Sequence, residues 1–453
     1  MLMTVLEKKG YNVTLFDTNF VEITDLKEFY SDYNELSIRI GQTKRINENF
    51  DMIVRKDFKE YVLELQKTIN DHEPDMVGIS TFSDSYPLAL KLIQAVQLPE
   101  KSVVVMGGTH CKVAPEKVIL ESCVDYVFEY EAEETFLLLC ELLNGNSYVS
   151  MEMIDGVYWK NANGNVMHNT LKRFPDITRL PIINLSPFDE KYFFRPFDGK
   201  MKKIINYEAS RGCPYTCTYC INSMIHGEKG RYKQMKHTVR RKTNDQIIRE
   251  LKHLIQELGF EMIVFMDELF LNQNLLNFKQ FAAQYIQNIG IPFTISTRPE
   301  TLNEEKVKLL KNMNCASVSI GVENGNELLR MQILNRRMKN DTIIQAFDLL
   351  NKYDIRNSSL NMIGSPGETE ETIWDTIRLN RRLNPSTISV AVLFPYEGTS
   401  IRDTCIEKGY LRETDAHNFQ NPIKTTVLDL PTISKEKIEE YYLNFINLCR
   451  AKQ

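Results

Sequence analysis

At 453 residues the chain is long for one globular unit, and two domains with connecting segments are expected. Hydrophobic residues at 43% and charged residues at 25% suit a protein that buries a core, and a net charge of -5 argues against a surface built to coat nucleic acid. The nine cysteines, an odd number, do not make a disulfide framework, no apolar run reaches membrane-spanning length, and "MLMTVLEKKGYNV" lacks the order of a leader, so a cytoplasmic protein without membrane contact is expected.

The first third alternates strand and helix. "YNVTLFD" (11–17), "DMVGIST" (75–81), "SVVVMGG" (102–108) and "DYVFEY" (125–130) read as buried β-branched strands. Helical stretches separate the later ones: "SYPLALKLIQAVQ", "PEKVILES" and "EETFLLLCELLNG". This alternation predicts a doubly wound parallel sheet, a flavodoxin- or Rossmann-like α/β domain over residues 1–148. A charged, helix-prone insert at 26–70 interrupts it. "GVYWKNANGNVMHN" predicts a hairpin around Asn-Gly-Asn, and the proline-punctuated "RFPDITRLPIINLSPFD" predicts a linker, so 149–200 is assigned to hairpin and connection.

Alternation resumes over residues 201–430 with longer helices. The strand candidates are "KIINYEASRG", "EMIVFMDE", "FTISTRP", "ASVSIGVE", "NSSLNMIGSPG" and "TISVAVLFPYEGT". Thr243-Asn244-Asp245-Gln246 resembles a capping box, followed by an apolar stripe at Ile247, Ile248, Leu251, Leu254, Ile255 and Leu258. Six consecutive β/α units predict a partial (β/α)6 barrel, in which function collects at the C-terminal ends of the strands. Residues 431–453 predict one amphipathic helix that packs on the barrel.

Cys213, Cys217 and Cys220 sit in "RGCPYTCTYC" with the spacing C-x3-C-x2-C. Zinc wants a fourth ligand, and no second C-x2-C or His pair follows. A redox disulfide between Cys217 and Cys220 leaves Cys213 unexplained. An iron–sulfur cluster held by three thiolates leaves one iron open to a small molecule, which accounts for the missing fourth ligand. The other cysteines, Cys111, Cys123, Cys140, Cys315, Cys405 and Cys449, lie among apolar neighbours and read as small buried hydrophobes.

This triplet after the first barrel strand, with Tyr219 before the last cysteine, resembles the radical S-adenosylmethionine (radical SAM) enzymes. The resemblance implies a 4Fe-4S cluster on Cys213, Cys217 and Cys220 whose open iron chelates S-adenosyl-L-methionine. It also implies cleavage to a 5'-deoxyadenosyl radical, with a flavodoxin- or ferredoxin-type reductant as partner. Further strand ends match in order. "FMDELF" implies Asp267 or Glu268 as acceptor for the cofactor's amino group, the choice between them open. "STRPE" implies Arg298 for its carboxylate, "SIGVENGNE" implies Glu323 for a ribose hydroxyl, and "MIGSPGET" implies Gly364 and Pro366 beside the adenine.

Across nearly the whole chain the resemblance is to the cobalamin-binding subgroup, on "LEKKGYNVTLFD", "PDMVGIST", "VVVMGGTHCKVAPEKVI" and "VDYVFEYEAEETF". It implies cobalamin against Ser80, Thr81, Gly107, Gly108, Thr109 and His110. The sequence departs from the subgroup in three places. Tyr130-Glu131-Ala132-Glu133 stands where relatives carry Gly-Glu-Gly-Glu, Asp-x-His-x-x-Gly is absent around His110, and no residues remain for the sheet's first strand. His110 is therefore expected to be a hydrogen-bonding loop residue and not a cobalt ligand.

By resemblance the expected chemistry is methylation of an unactivated carbon or a phosphorus centre in a small-molecule or natural-product substrate. Radical rearrangement or cyclisation is the alternative, and barrel chemistry without the corrin is a third. A non-enzymatic cluster sensor is disfavoured by the ordered strand-end motifs. The basic run Lys229, Arg231, Lys233, Lys236, Arg240, Arg241 and Lys242 is read as a solvated loop in preference to a nucleic-acid groove. Docking of an anionic substrate or redox partner there is the third reading.

Overall fold

The computed structural model describes residues 1–26, 53–226, 232, 235, 239–412 and 426–451. The chain divides into two compact units, one built on residues up to Asp189 and the other on residues from Glu190. Among the described residues no helix is long and apolar enough to cross a membrane.

In the first unit, β1 (Val21–Ile23) pairs in parallel with β2 (Val54–Lys56). Helix Phe58–His72 follows, its first turn capped by Asp57, whose carboxylate accepts from the Glu60 N–H at 2.7 Å. Then β3 (Met76–Ser80), β4 (Val103–Gly107) and β5 (Tyr126–Phe128) form a parallel set. The hairpin of β6 (Val157–Lys160) and β7 (Val166–Asn169) extends that sheet in antiparallel fashion beyond β5. The valine run of β4 puts Val104, Val105 and Met106 in the core, as expected for a strand covered on both faces.

One expected strand is absent. Residues 11–17 have strand-forming side chains but belong to no ladder, because a strand exists only where a neighbour supplies its hydrogen bonds. On the far side of β3, where a flavodoxin-like order places its first strand, no described residue forms a strand. Gly78 and Ser80 of β3 are accordingly exposed, whereas the middle of β4 is buried.

In the second unit, β8 (Phe194–Phe197) pairs antiparallel with β9 (Lys200–Tyr207) at one edge. The short ribbon β10 (Ser210–Arg211) and β11 (Arg240–Arg241) flanks the cysteine loop. The rest of the sheet is parallel: β12 (Met262–Phe265), β13 (Phe293–Thr297), β14 (Cys315–Glu323), β15 (Arg356–Ile363) and β16 (Thr387–Val392), in consecutive order from β9. β9 and β16 are not hydrogen-bonded to each other, so the sheet is a curled half-barrel. All six predicted strands are present.

The crossover helices begin where side-chain caps stop the preceding loops. Thr243, Asn274, Asn303 and Thr369 each accept the backbone N–H three residues on. Helix Asn244–Leu258 ends at Gly259 in the left-handed conformation. Phe265, Phe270, Phe278, Phe281 and Phe293 fill the space between β12, β13 and their helices, each burial contributing about 1.5–3 kcal/mol. The C-terminal helix Lys435–Arg450, capped by Ser434, packs Tyr442, Phe445 and Ile446 against the β16 side of the barrel.

The face of the sheet turned from the helices carries a row of hydroxyls. Ser296, Ser319, Ser358 and Thr387 are register partners across β13 to β16, and all are at least partly exposed. Ser358 and Thr387 hydrogen-bond directly.

Among the scattered cysteines, Cys111, Cys140, Cys315, Cys405 and Cys449 are buried and Cys123 is half-buried. Burial pushes the Cys111, Cys315 and Cys449 thiols up to about 12, which makes them inert hydrophobes.

Candidate active site

The cysteine loop leaves β10 through Gly212, at φ 91°, and is pinned from several sides. Thr218 N–H donates to the Leu334 carbonyl at 3.3 Å, and its hydroxyl donates to the Ile333 carbonyl at 2.6 Å. Asn335 Nδ2 donates to Thr216 Oγ1 and to the Thr216 carbonyl, at 2.8 and 3.0 Å. After the loop, Met224 packs on Gly398, where a Cβ would lie 2.5 Å from its Sδ, so "FPYEGT" contributes a close approach.

Cys217 is buried, and Cys213 and Cys220 are half-buried. No cysteine among the described residues is in a disulfide. Arg298 Nη1 donates to Cys217 Sγ at 3.2 Å, with Arg336 Nη1 at 3.9 Å on the same sulfur. Among the described residues no three His, Cys, Asp or Glu side chains converge on a point that would suit a single metal ion. Three thiols in one loop, one of them faced by two guanidinium groups, are a donor set that fits a 4Fe-4S cluster, whose cube spreads its ligand sulfurs over separate irons.

The two acidic residues after β12 have different surroundings. Asp267 is buried, accepts the Ala209 N–H at 3.1 Å and the Ser210 hydroxyl, and lies 3.8 Å from Arg241. It ties β12 to the chain entering the cysteine loop. Glu268 is exposed and accepts the Gly212 N–H at 3.1 Å, one residue before Cys213.

Arg298 ends β13. Glu300 grips its Nε and Nη2 at 3.2 and 2.7 Å, and the Tyr215 ring centroid lies 3.7 Å from the guanidinium. The fork is thereby fixed with Nη1 aimed at the cysteine loop. Glu323 ends β14 in the left-handed region at φ 65°, a conformation that costs a non-glycine residue about 1 kcal/mol and turns its carboxylate toward Arg336. Tyr219 Oη lies 3.3 Å from Arg336 Nη1.

Beyond β15, Gly364 and Gly367 take positive φ around buried Ser365 and Pro366. Glu368, fully buried, accepts the Gly364 and Ser365 N–H groups and Asn324 Nδ2, which joins this loop to the end of β14. The Ser365 hydroxyl has no partner among the described residues. Arg336, Glu300 and Glu368 escaped the sequence reading. "LNRRMKN" and "PGETE" look like ordinary charged loops until the fold turns them inward.

In the first unit, the Thr81 N–H donates to the Gly107 carbonyl at 3.1 Å, and the His110 N–H donates to the Thr81 carbonyl at 3.2 Å. Gly108, at φ 94°, sits so close that a Cβ would be 2.6 Å from the Thr81 carbonyl oxygen. Thr109 opens the short helix Thr109–Val113, and Ser80 and Gly108 remain exposed beside Phe82. His110 is buried, with Nδ1 3.1 Å from Ser83 Oγ and its ring against Tyr86. Tyr130 packs on Phe174 with Lys112 over its ring, and Ala132 is buried, which accommodates the two lost glycines. An open ledge at the ends of β3 and β4 fits a flat cofactor.

Part of the basic run is not a solvated loop. Lys229, Arg231, Lys233 and Lys236 lie outside the described residues, but Lys242 is buried and donates to Glu250 at 2.6 Å. The Arg241 guanidinium lies 5.6 and 5.4 Å from the Phe270 and Phe281 ring centroids. Buried acidic and aromatic partners override the polar character of "RRK".

The fold and the three-thiol loop together define an α/β chain that joins a corrin-type sheet to a half-barrel built for an iron–sulfur cluster. Comparison with known proteins agrees. Residues 44–139 match the B12 binding domain and residues 207–379 the Radical SAM superfamily. The chain is 30% identical over 362 residues to an uncharacterized methyltransferase of Pyrococcus horikoshii, covering 77% of this chain and 73% of that protein. It is 22% identical over 486 residues to the cytidylyl-2-hydroxyethylphosphonate methyltransferase of Streptomyces wedmorensis, covering 98% and 84%. The solved structure of the radical S-adenosylmethionine methyltransferase TsrM from Kitasatospora setae superposes with a TM-score of 0.59 at 14% identity, over 82% of this chain and 74% of that one, a likeness of fold. The chain belongs to the radical SAM enzymes that carry an N-terminal cobalamin-binding domain.

Proposed function

We propose that the chain is a cobalamin-dependent radical SAM methyltransferase acting on an unactivated carbon or phosphorus centre of a small molecule. The observation that carries this reading is the three-thiol loop at the end of the first barrel strand, in one chain with a corrin-type domain. When bound, the cluster supplies the electron that cleaves S-adenosylmethionine, and the corrin carries the methyl group.

The chain's own residues bind and orient. Cys213, Cys217 and Cys220 hold the cluster. Exposed Glu268 receives the cofactor's amino group, because Asp267 is spent on Ala209 and Ser210. Arg298, its fork held by Glu300, presents Nη1 to the carboxylate. Tyr219 and Glu323 contact the ribose side, and Gly364 with Pro366 faces the adenine. Exposed Ser80 and Gly108 with half-buried Gly107 and Thr109 form the corrin ledge, and buried Thr81 and His110 shape it from beneath. The hydroxyl row of Ser296, Ser319, Ser358 and Thr387 supports a polar substrate that reaches into the barrel. A flavodoxin- or ferredoxin-type protein serves as reductant in the cytoplasm.

The test needs no substrate. Anaerobically reconstituted chain, loaded with reduced cobalamin and methyl-deuterated S-adenosylmethionine, is expected to move the deuterated methyl to the corrin, read by mass. Formation of 5'-deoxyadenosine with no label on the corrin would overturn methyl transfer and favour rearrangement or cyclisation.

A further inference from the structure

We infer that Arg336 sets the reduction potential of the cluster through Cys217, an inference that rests on the cluster reading above. Arg336 is 4% exposed, and one nitrogen serves three groups. Nη1 lies 3.9 Å from Cys217 Sγ, 3.3 Å from Tyr219 Oη and 3.8 Å from Glu323 Oε1. Nη2 donates to the Gly321 carbonyl. One guanidinium thus joins a cluster thiol to two residues assigned to S-adenosylmethionine.

Its position is built and not incidental. Arg330, fully buried, donates to the Asn324 carbonyl at 2.6 Å, to Asn340 Oδ1 at 2.9 Å and to the Met338 carbonyl at 2.8 Å. The Arg336 N–H donates to the Arg330 carbonyl at 2.9 Å. Asn335 and Leu334, directly before Arg336, hold the cysteine loop itself through Thr216 and Thr218. Gly321 makes room: a Cβ there would fall 2.4 Å from Glu323 Oε1 and 3.3 Å from Arg336 Nη2.

Reduction adds one electron to the cluster, with no bond made or broken. A fixed cation at a ligating sulfur favours the more negative, reduced state, and in a buried site the attraction is weakly screened. Arg298, nearer to the same sulfur, pushes the potential in the same direction, its charge partly offset by Glu300. Glu323 opposes Arg336 in the same way. The two side chains therefore act on the potential with opposite signs, which a purely structural role does not produce.

The experiment is a potentiometric titration of anaerobically reconstituted full chain, without S-adenosylmethionine, followed by the electron paramagnetic resonance signal of the reduced cluster. Iron and sulfide are counted first. Arg336→Gln is expected to move the midpoint to more negative potential, Glu323→Gln to more positive potential, and Arg336→Lys to stay near the wild-type value. If Arg336→Gln takes up no cluster, the Glu323→Gln titration decides, and an unmoved or more negative midpoint there overturns the inference. A full cluster with an unmoved or more positive midpoint in Arg336→Gln overturns it alone. A wild-type chain without iron and sulfide overturns the cluster reading and this inference with it.

Discussion

Asp267 accepts the Ala209 N–H at 3.1 Å from a buried position, whereas its neighbour Glu268 accepts the Gly212 N–H at 3.1 Å from an exposed one. With the Ser210 hydroxyl and Arg241, Asp267 forms a buried polar knot under the cysteine loop. Burial raises its carboxyl above the usual range, and the bonds from Ser210 and Ala209 hold it down. Asp267→Asn removes the counter-charge of a largely buried arginine, so a loss of about 3 kcal/mol is expected by chemical denaturation. A loss below about 0.5 kcal/mol would remove the knot from the account.

Glu268→Gln should behave differently. The residue is exposed, and a glutamine oxygen can still accept the Gly212 N–H. Stability and iron content are expected to stay at wild-type values while affinity for S-adenosylmethionine falls by about tenfold or more, the worth of one charge-assisted contact. Unchanged affinity in calorimetry contradicts the assignment.

Glu368 supplies a pH dependence. Full burial pushes its carboxyl up to about 7 from 4.5, against the lowering pull of the Ser365, Gly364 and Asn324 donors. Between those values the folded chain holds a proton that the unfolded chain has released. Stability from this group is therefore fully present below about 4.5 and is lost as pH rises through about 7. The change amounts to about 3 kcal/mol at most. Glu368→Gln should flatten that part of the curve, and the difference between the two denaturation profiles isolates it. Parallel profiles from pH about 5 to about 8 rule it out.

Gly108 and Gly107 make a matched pair. A Cβ at Gly108 would press on the Thr81 backbone at 2.6 Å and sit at φ 94°, whereas a Cβ at Gly107 meets nothing within 4 Å. Gly108→Ala is expected to cost about 1–3 kcal/mol and to lose cobalamin on gel filtration, while Gly107→Ala folds as the wild type does. Equal cobalamin retention by both variants would show that the Gly108 turn does not shape the ledge.

Much of this site was legible in sequence because its signals are local. The spacing of Cys213, Cys217 and Cys220 marks the loop on which the proposed donor set rests, and Thr243 with Gly259 brackets a helix whose apolar stripe repeats correctly. Strand alternation gave all six barrel strands in order. What escaped depends on partners far along the chain. Residues 11–17 have strand-forming side chains but no ladder neighbour. Arg241 and Lys242 look solvated until Asp267, Glu250 and the phenylalanines are folded around them. Arg336 reaches Cys217 across 119 positions, a separation at which no residue pattern speaks.

The most direct measurement is electron paramagnetic resonance of the anaerobically reduced, reconstituted chain before and after adding S-adenosylmethionine. A cluster at the three cysteines with an open iron predicts about four irons per chain and a signal whose shape changes when the cofactor binds, both lost in the Cys217→Ser variant. A chain that binds no iron and sulfide, or a cluster whose signal S-adenosylmethionine leaves untouched, contradicts the account.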